Sequence, residues 1–416
     1  MSQAQIDTVM RSTPGVFYAL SFRNYKLFFV GQLVSVAGTW MQDVAQKWVV
    51  WELTHSPAWL GYVSGASAIP SVLFSIWGGQ VADRFSRRAI LVATQTFMMI
   101  LAFALAYLAA ARFSPIPLQA WHVVLIAALN GIVNAFNMPA QQAFVPEMVD
   151  DRKALGNALA LNSLRFNVAR VMGPMLAGLV LARASPAACF ALNGFSYLAV
   201  ILSLIMMQLP AFVAVDHRVS VTEGFRYIWS ERRVFRTILL VGISSLFAWP
   251  LSTLFPVFAH NFHVGKGGYS AIMSSNGLGA AIGGLALAAF GSRLSRRLQI
   301  YGGSFMFCLT LLLLAQAQLF IVALVILVLS GFAMIVFGMS AQTQVQEDVP
   351  DELRGRVMAV YALVFNGFFA IGGMEIGALA QRVTAVNAVR ANALICILVT
   401  ALVFAWSTAD RRKRRT

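Results

Sequence analysis

Five ionisable side chains of this chain lie inside long apolar runs: Asp43 and Lys47, Arg165 and Arg170, and Glu375. A charge left unpaired in hydrocarbon costs several kcal/mol, so each must pair, reach water or carry function. Asp43 and Lys47 are four residues apart, share one face of a helix and can pair with each other. Lys47 also sits close enough to the end of its run to snorkel. Glu375 has no cation within a helical turn on its own run, and a bond to Asn or Ser on a neighbouring helix is one reading of it. The other reading is chemical. In a cavity of low dielectric, Asp43 or Glu375 can take up and release a proton during a working cycle. Arg165 and Arg170 would then hold an anionic group of a substrate, or modulate the carboxylate. Gln46, Asn130, Asn134, Asn137, Asn162, Asn167, Asn276 and Asn366 are the polar groups that could line the same cavity, with Trp40, Trp48, Phe136, Trp249 and Phe365 as aromatic walls.

The elements that must position these groups follow from hydropathy. Of 416 residues, 59% are hydrophobic and 11% charged, against about 25% charged in a soluble domain. Apolar runs cover 25–53, 58–82, 88–111, 119–143, 156–182 and 187–209. A polar stretch, 210–235, follows. Further runs cover 236–260, 268–291, 298–317, 319–343, 356–381 and 388–408. Each is long enough to cross a bilayer as a helix. The expectation is an all-α membrane protein of twelve transmembrane helices, with only Gln316–Gln318 dividing the ninth run from the tenth. The division into parts is a segment 1–24, a six-helix bundle 25–209, a linker 210–235, a second bundle 236–408 and a basic tail 409–416. Residues 1–22 are polar and mixed and do not read as a cleaved signal peptide.

Lys and Arg cluster in alternate loops, which puts both termini in the cytoplasm. The net charge of +15 is therefore a topology signal, not a nucleic-acid-binding patch. Within the linker, Val219–Phe235 reads as an amphipathic helix with Phe225, Ile228 and Trp229 on one side, lying on the membrane surface or serving as a simple connector. The two halves repeat. Ala140-Gln141 with Pro146-Glu147 before the fifth run is echoed by Ala341-Gln342 with Glu347-Asp348 before the eleventh. Gly78-Gly79 with Ser86-Arg87-Arg88 is echoed by Gly283-Gly284 with Ser295-Arg296-Arg297. Such echoes imply two pseudo-symmetric six-helix bundles.

The sharpest local motif is Gly78-Gly79-Gln80-Val81-Ala82-Asp83-Arg84-Phe85-Ser86-Arg87-Arg88. Glycines let helices approach closely, and Asp83 can face a cation or a helix N-terminus. The motif resembles the signature loop of the major facilitator superfamily, with Ser86 where that pattern usually has Gly. The resemblance implies that Asp83 latches the two halves at the cytoplasmic face, with Arg354 and Arg356 as its expected partners and Gly79, Arg84, Arg87 and Arg88 in the same gate. Phe22-Arg23-Asn24-Tyr25, Leu53-Thr54-His55-Ser56, Ala140-Gln141-Gln142 with Val145-Pro146, and Arg354-Gly355-Arg356-Val357 are similar to the branch of enterobactin exporters and macrolide efflux proteins. That resemblance covers residues 20–405. Arg170-Val171-Met172-Gly173-Pro174-Met175-Leu176-Ala177-Gly178 resembles a shortened Gly-Pro motif of proton-coupled antiporters, with Ala177 replacing the first of its paired glycines. Close packing by small residues is the other reading of Gly173, Pro174 and Gly178.

Other function classes fit less well. No GxxxxGK[ST] occurs, which argues against an ATP-driven pump. Cys189, Cys308 and Cys396 sit singly in apolar runs and read as packing residues, and the five histidines are scattered, so no metal or cofactor is expected. No cluster of acids with His marks a membrane enzyme. A lysophospholipid or other lipid transporter of the same superfamily, and a non-transporting receptor, are the remaining alternatives. The expectation is a monomeric, proton-coupled efflux transporter of small amphiphilic molecules, drug-like or siderophore, in the bacterial inner membrane.

Overall fold

The computed structural model describes residues 17–110, 114–149, 151–208 and 221–413. Most of the expected N-terminal segment, the first part of the linker and the last residues of the tail lie outside the described residues. Among the described residues every regular element is a helix. A chain in lipid must satisfy its backbone polar groups internally, and helices do this within one segment.

The helices are α1 Arg23–Thr54, α2 Pro57–Arg84, α3 Arg87–Ala109, α4 Ala120–Phe144, α5 Arg152–Arg183, α6 Pro186–Met206 and the short α7 Val221–Ser230. They continue with α8 Arg232–Phe247, α9 Phe255–Asn261, α10 Gly265–Phe290, α11 Gly303–Leu314, α12 Phe320–Asp348, α13 Asp351–Val383 and α14 Ala385–Lys413. Among the described residues nine helices, counting α8 to α9 as one, are long and apolar enough to cross a membrane. The bent pair Pro57–Ser75 and Trp77–Arg84 makes a tenth. Its 54° bend falls between Pro70, which removes a backbone donor, and the Gly78–Gly79 pair. The exceptions have simple causes. α1 carries Asp43, Lys47 and several glutamines, and Leu298–Leu314 is short.

Most predicted breaks fall where expected. α11 ends at Leu314 and α12 starts at Phe320, on either side of Gln316–Gln318. Two differ. The run 236–260 is not one continuous helix. Pro250 opens a 3₁₀ turn, Trp249–Leu254, and Pro256 opens α9, because proline lacks the N–H that a helix interior needs. The linker helix is also shorter than Val219–Phe235. Glu231 interrupts it and caps α8 by accepting a bond from the Arg233 N–H at 3.2 Å. Ile228 turns inward, whereas Phe225 and Trp229 face outward, Trp229 being 76% exposed. Gly224 packs on the Arg356 carbonyl of α13.

The pairings repeat one for one. α1 packs on α5 and α6, α2 on α4, and α3 on α4 and α6. Likewise α8 packs on α13 and α14, α10 on α12, and α11 on α12 and α14. The corresponding crossings use glycine for close approach: Gly131 lies against the Ser67 carbonyl between α4 and α2, and Gly331 against the Asn276 carbonyl between α12 and α10. Between the halves, α2 meets α13 and α5 meets α10, two contacts that the same twofold relation exchanges.

The apolar cores locate the contact between halves. One large core draws on both, from Met41–Trp51 of α1 to Leu254–Ala259, Ile376 and Ala388. At the opposite end, where the arginine clusters lie, there are two cores. One contains Tyr25, Phe28, Ala82 and Phe144 of the first half, the other Val234, Phe337, Val357 and Tyr361 of the second. The halves share a core at one end, here the far end, and each keeps its own at the other, the basic end.

Candidate functional site between the halves

α1 is held by α5 and α6, so its polar side chains are positioned within the first half. Lys47 Nζ donates to Asp43 Oδ2 at 2.8 Å, one helical turn apart. Lys47 is the more enclosed partner, its side chain 12% exposed against 38% for Asp43. The next residue, Trp48, stacks on Tyr269 of α10, which joins the two halves beside the pair. Arg170 belongs to the boundary as well. Its Nη2 donates to Asn276 Oδ1 of α10 at 3.1 Å, and its guanidinium lies 5.9 Å from the Trp40 ring. Arg165 does not reach the second half. It is 8% exposed in the first-half core, over the Phe28 ring at 5.4 Å, with Nε and Nη1 lacking acceptors among the described residues. Asn162 accepts from the Tyr25 hydroxyl at 3.3 Å, and Asn134 is half-buried on α4 with no side-chain hydrogen bond among the described residues. The side chain of Asn167 lies outside them. Glu375 is placed elsewhere: it accepts from Asn392 Nδ2 of α14 at 2.9 Å, within the second half, and the structure does not bring it to Asp43.

The Gly-Pro stretch of α5 serves two neighbours. Gly173 presses on Trp40 of α1, and a Cβ at Gly178 would meet the Ser270 Cβ of α10 at 2.8 Å. Pro174 lies between them inside the helix. At the far end, hydrogen bonds cross the boundary from Ser56 to Gln381 at 2.8 Å and between Ser64 and Thr253 at 3.3 Å.

The basic end is different. No ion pair there among the described residues joins the first half to the second. Arg87 pairs with Glu147. Arg296 pairs with Glu347 at 2.8 Å. Arg88 Nη2 donates to the Ile205 carbonyl at 2.7 Å. Arg354 bonds Asp351 at 2.5 Å and the Gln346 carbonyl at 3.0 Å, and Arg356 bonds Glu223 of α7. Asp83 is half-buried with no ion pair among the described residues, so the structure does not bring it to Arg354 or Arg356. Arg84 is exposed. A Cβ at Gly79 or at Gly355 would meet nothing within 4 Å.

Two repeated bundles, joined through α2–α13 and α5–α10 around buried charge, match a known family. Residues 15–413 match the family described as transmembrane secretion effector. The chain belongs to this family of the major facilitator superfamily. It is a multi-pass membrane transport protein. It is 24% identical over 363 residues to the staphyloferrin A transporter of Staphylococcus aureus, covering 84% of this chain and 87% of that one. It is 26% identical to macrolide efflux protein A of Streptococcus pyogenes, covering 87% and 91%. It is 24% identical to the enterobactin exporter of Escherichia coli O1:K1 / APEC, covering 94% of each. Its fold resembles a bacterial homologue of the lysosomal transporter Spinster solved inward-facing and occupied, with TM-score 0.73 at 13% identity over 93% of this chain and 97% of that one. A D-xylose–proton symporter gives TM-score 0.72 at 12% identity over 90% and 97%.

Within this facilitator protein, sequence reasoning missed two features. The first is the seam of glycines at the far end, Gly61 and Gly65 on α2 against Gly373 and Gly377 on α13. A Cβ at Gly61 would meet the Gly373 carbonyl oxygen at 2.9 Å. Both pairs have small-xxx-small spacing, which was the available signal. The second is that the two sequence echoes are partners. Arg87 with Glu147, and Arg296 with Glu347, are the same ion pair built once in each half.

Proposed function

We propose that this protein exports small amphiphilic molecules bearing an anionic group across the bacterial inner membrane, by alternating access and in exchange for protons. In this reading the chain crosses twelve times, with α1 and Leu298–Leu314 completing the set and both termini cytoplasmic. The basic end is the cytoplasmic one, as the positive-inside rule requires. The observation that carries the proposal is the unequal joining of the halves: one shared core at the far end, two separate cores at the basic end. That arrangement suits a binding region open to the cytoplasm and closed to the outside. Rocking about the centre would part the glycine seam and bring Asp83 towards Arg354 and Arg356, the latch of the opposite state.

Asp43 is the proton carrier in this scheme. It is the more exposed member of a half-buried pair at the boundary, and Lys47 holds it as the carboxylate once the proton has left. Arg170, already at the boundary with Trp40, is the group that receives the substrate anion. Glu375 stabilises the second half through Asn392. Export as the direction draws support from both named efflux relatives, and a siderophore-like anion as the substrate class from the enterobactin exporter.

The test is efflux from cells lacking their own exporters, screened with a panel of antibiotics and siderophores, with and without collapse of the proton gradient. Efflux of an amphiphilic anion that stops on collapse is the expected result. Net accumulation of the compound, or efflux indifferent to the gradient, would overturn the proposal.

A further inference from the structure

At the basic end of the second half, Arg233 and Arg236 of α8, Arg297, Tyr301, Gln344 of α12 and Ser407 of α14 line a small cleft. Arg233 is matched by Asp348 at 3.1 Å and Arg236 by Asp410 at 2.7 Å. Arg297 has no carboxylate partner among the described residues, and its Nε and Nη2 are buried without acceptors. Its guanidinium is held flat, 4.3 Å from the Phe404 ring and 5.8 Å from that of Tyr301. The twofold repeat sharpens the point. Arg88 occupies the equivalent place in the first half, and there the Ile205 carbonyl accepts its bond. In the second half no backbone oxygen among the described residues does so. A fixed guanidinium with two unmatched N–H groups is suited to a bidentate oxyanion.

The surroundings say where the oxyanion comes from. Trp406 lies against Arg236 at 5.3 Å, and Leu402 and Leu398 continue its helix face away from the cleft, each 60% exposed. Charged donors thus meet an apolar stripe of about 12 Å, at the membrane end rich in basic residues. Basic pockets between helices at this level suit anionic headgroups. We propose that the cleft binds a phosphate group, that of an anionic phospholipid of the inner leaflet, with Arg297 as its principal ligand.

The experiment is native mass spectrometry of the detergent-purified full chain, offered phosphatidylglycerol, phosphatidylcholine and diacylglycerol in turn. Wild-type protein should retain phosphatidylglycerol over the other two. R297Q should lower that retention about tenfold, the loss of a charge-assisted pair. R293Q, at an exposed arginine outside the cleft, should leave it unchanged. Melting of wild type and R297Q in inorganic phosphate against chloride, at matched ionic strength, separates the sources. A rise in Tm with phosphate that R297Q abolishes, without lipid preference, would keep the phosphate site and overturn its lipid origin. No preference by wild type for phosphatidylglycerol and no shift with phosphate would overturn the site altogether, whether or not R297Q folds.

Discussion

At the residue scale the buried charges divide by what they touch. Sequence singled out five as equals, because hydropathy finds a charge in an apolar run but cannot say which way its helix face turns. Packing separates them. Asp43 and Arg170 lie at the boundary between halves, Arg165 is enclosed in the first-half core, and Glu375 bonds Asn392. Replacing Asp43 by Asn removes the proposed titrating group while keeping its shape. D43N is expected to lose uphill, gradient-driven transport and to retain exchange of substrate at equilibrium; radiolabel counterflow in proteoliposomes measures both. Arg170 makes a different prediction. R170Q leaves a donor for Asn276 but removes the charge, so affinity for an anionic substrate should fall about tenfold or more, by loss of a charge-assisted bond worth ~1.5–3 kcal/mol. Binding measured by calorimetry, with a neutral analogue as reference, tests this; equal loss for both ligands would assign Arg170 to structure alone.

At the element scale the far-end seam of α2 and α13 holds the halves closed. Helices without a hydrophobic drive between them associate through close packing, which Gly61, Gly65, Gly373 and Gly377 allow. A larger side chain at Gly61 must displace backbone. Gly61→Leu should weaken the closed far end by about 1–3 kcal/mol, moving the balance between the two states about 5–150-fold. Cross-linking of cysteines placed at Ser56 and Gln381, which bond at 2.8 Å, reads this directly: formation should fall in the Gly61→Leu background. The all-helical architecture and most of the breaks were legible in the sequence, because apolar length reports directly on burial. The break in the seventh run was also written there, as Pro250 and Pro256, but an apolar stretch conceals proline turns unless each proline is weighed singly. The seam was illegible for another reason: contacts between halves depend on which faces meet, and glycine spacing alone occurs at many helix crossings.

At the scale of the whole molecule, two copies of one plan are joined unequally. The repeated ion pairs Arg87–Glu147 and Arg296–Glu347 brace each half from within. In the proposed cycle each half moves as a body; the shared core joins one end, and each half keeps its own core at the other. The sequence supplied the repeat and the residues of the proposed latch but not the arrangement, since only packing shows which contacts those residues make. Arg354 and Arg356 engaged within their own half, and Asp83 without a pair among the described residues, fit the latch undone. The central claim, that opening at one end accompanies closing at the other, is tested most directly by electron-spin distance measurements on two doubly labelled proteins in nanodiscs. One carries labels at Phe85 and Gly355 of the basic end, the other at Leu53 and Val383 of the far end. The prediction is that conditions which shorten the basic-end distance lengthen the far-end distance, with the resting protein long at the basic end and short at the far end. Two distances that stay fixed under substrate and pH change, or that lengthen and shorten together, would contradict it.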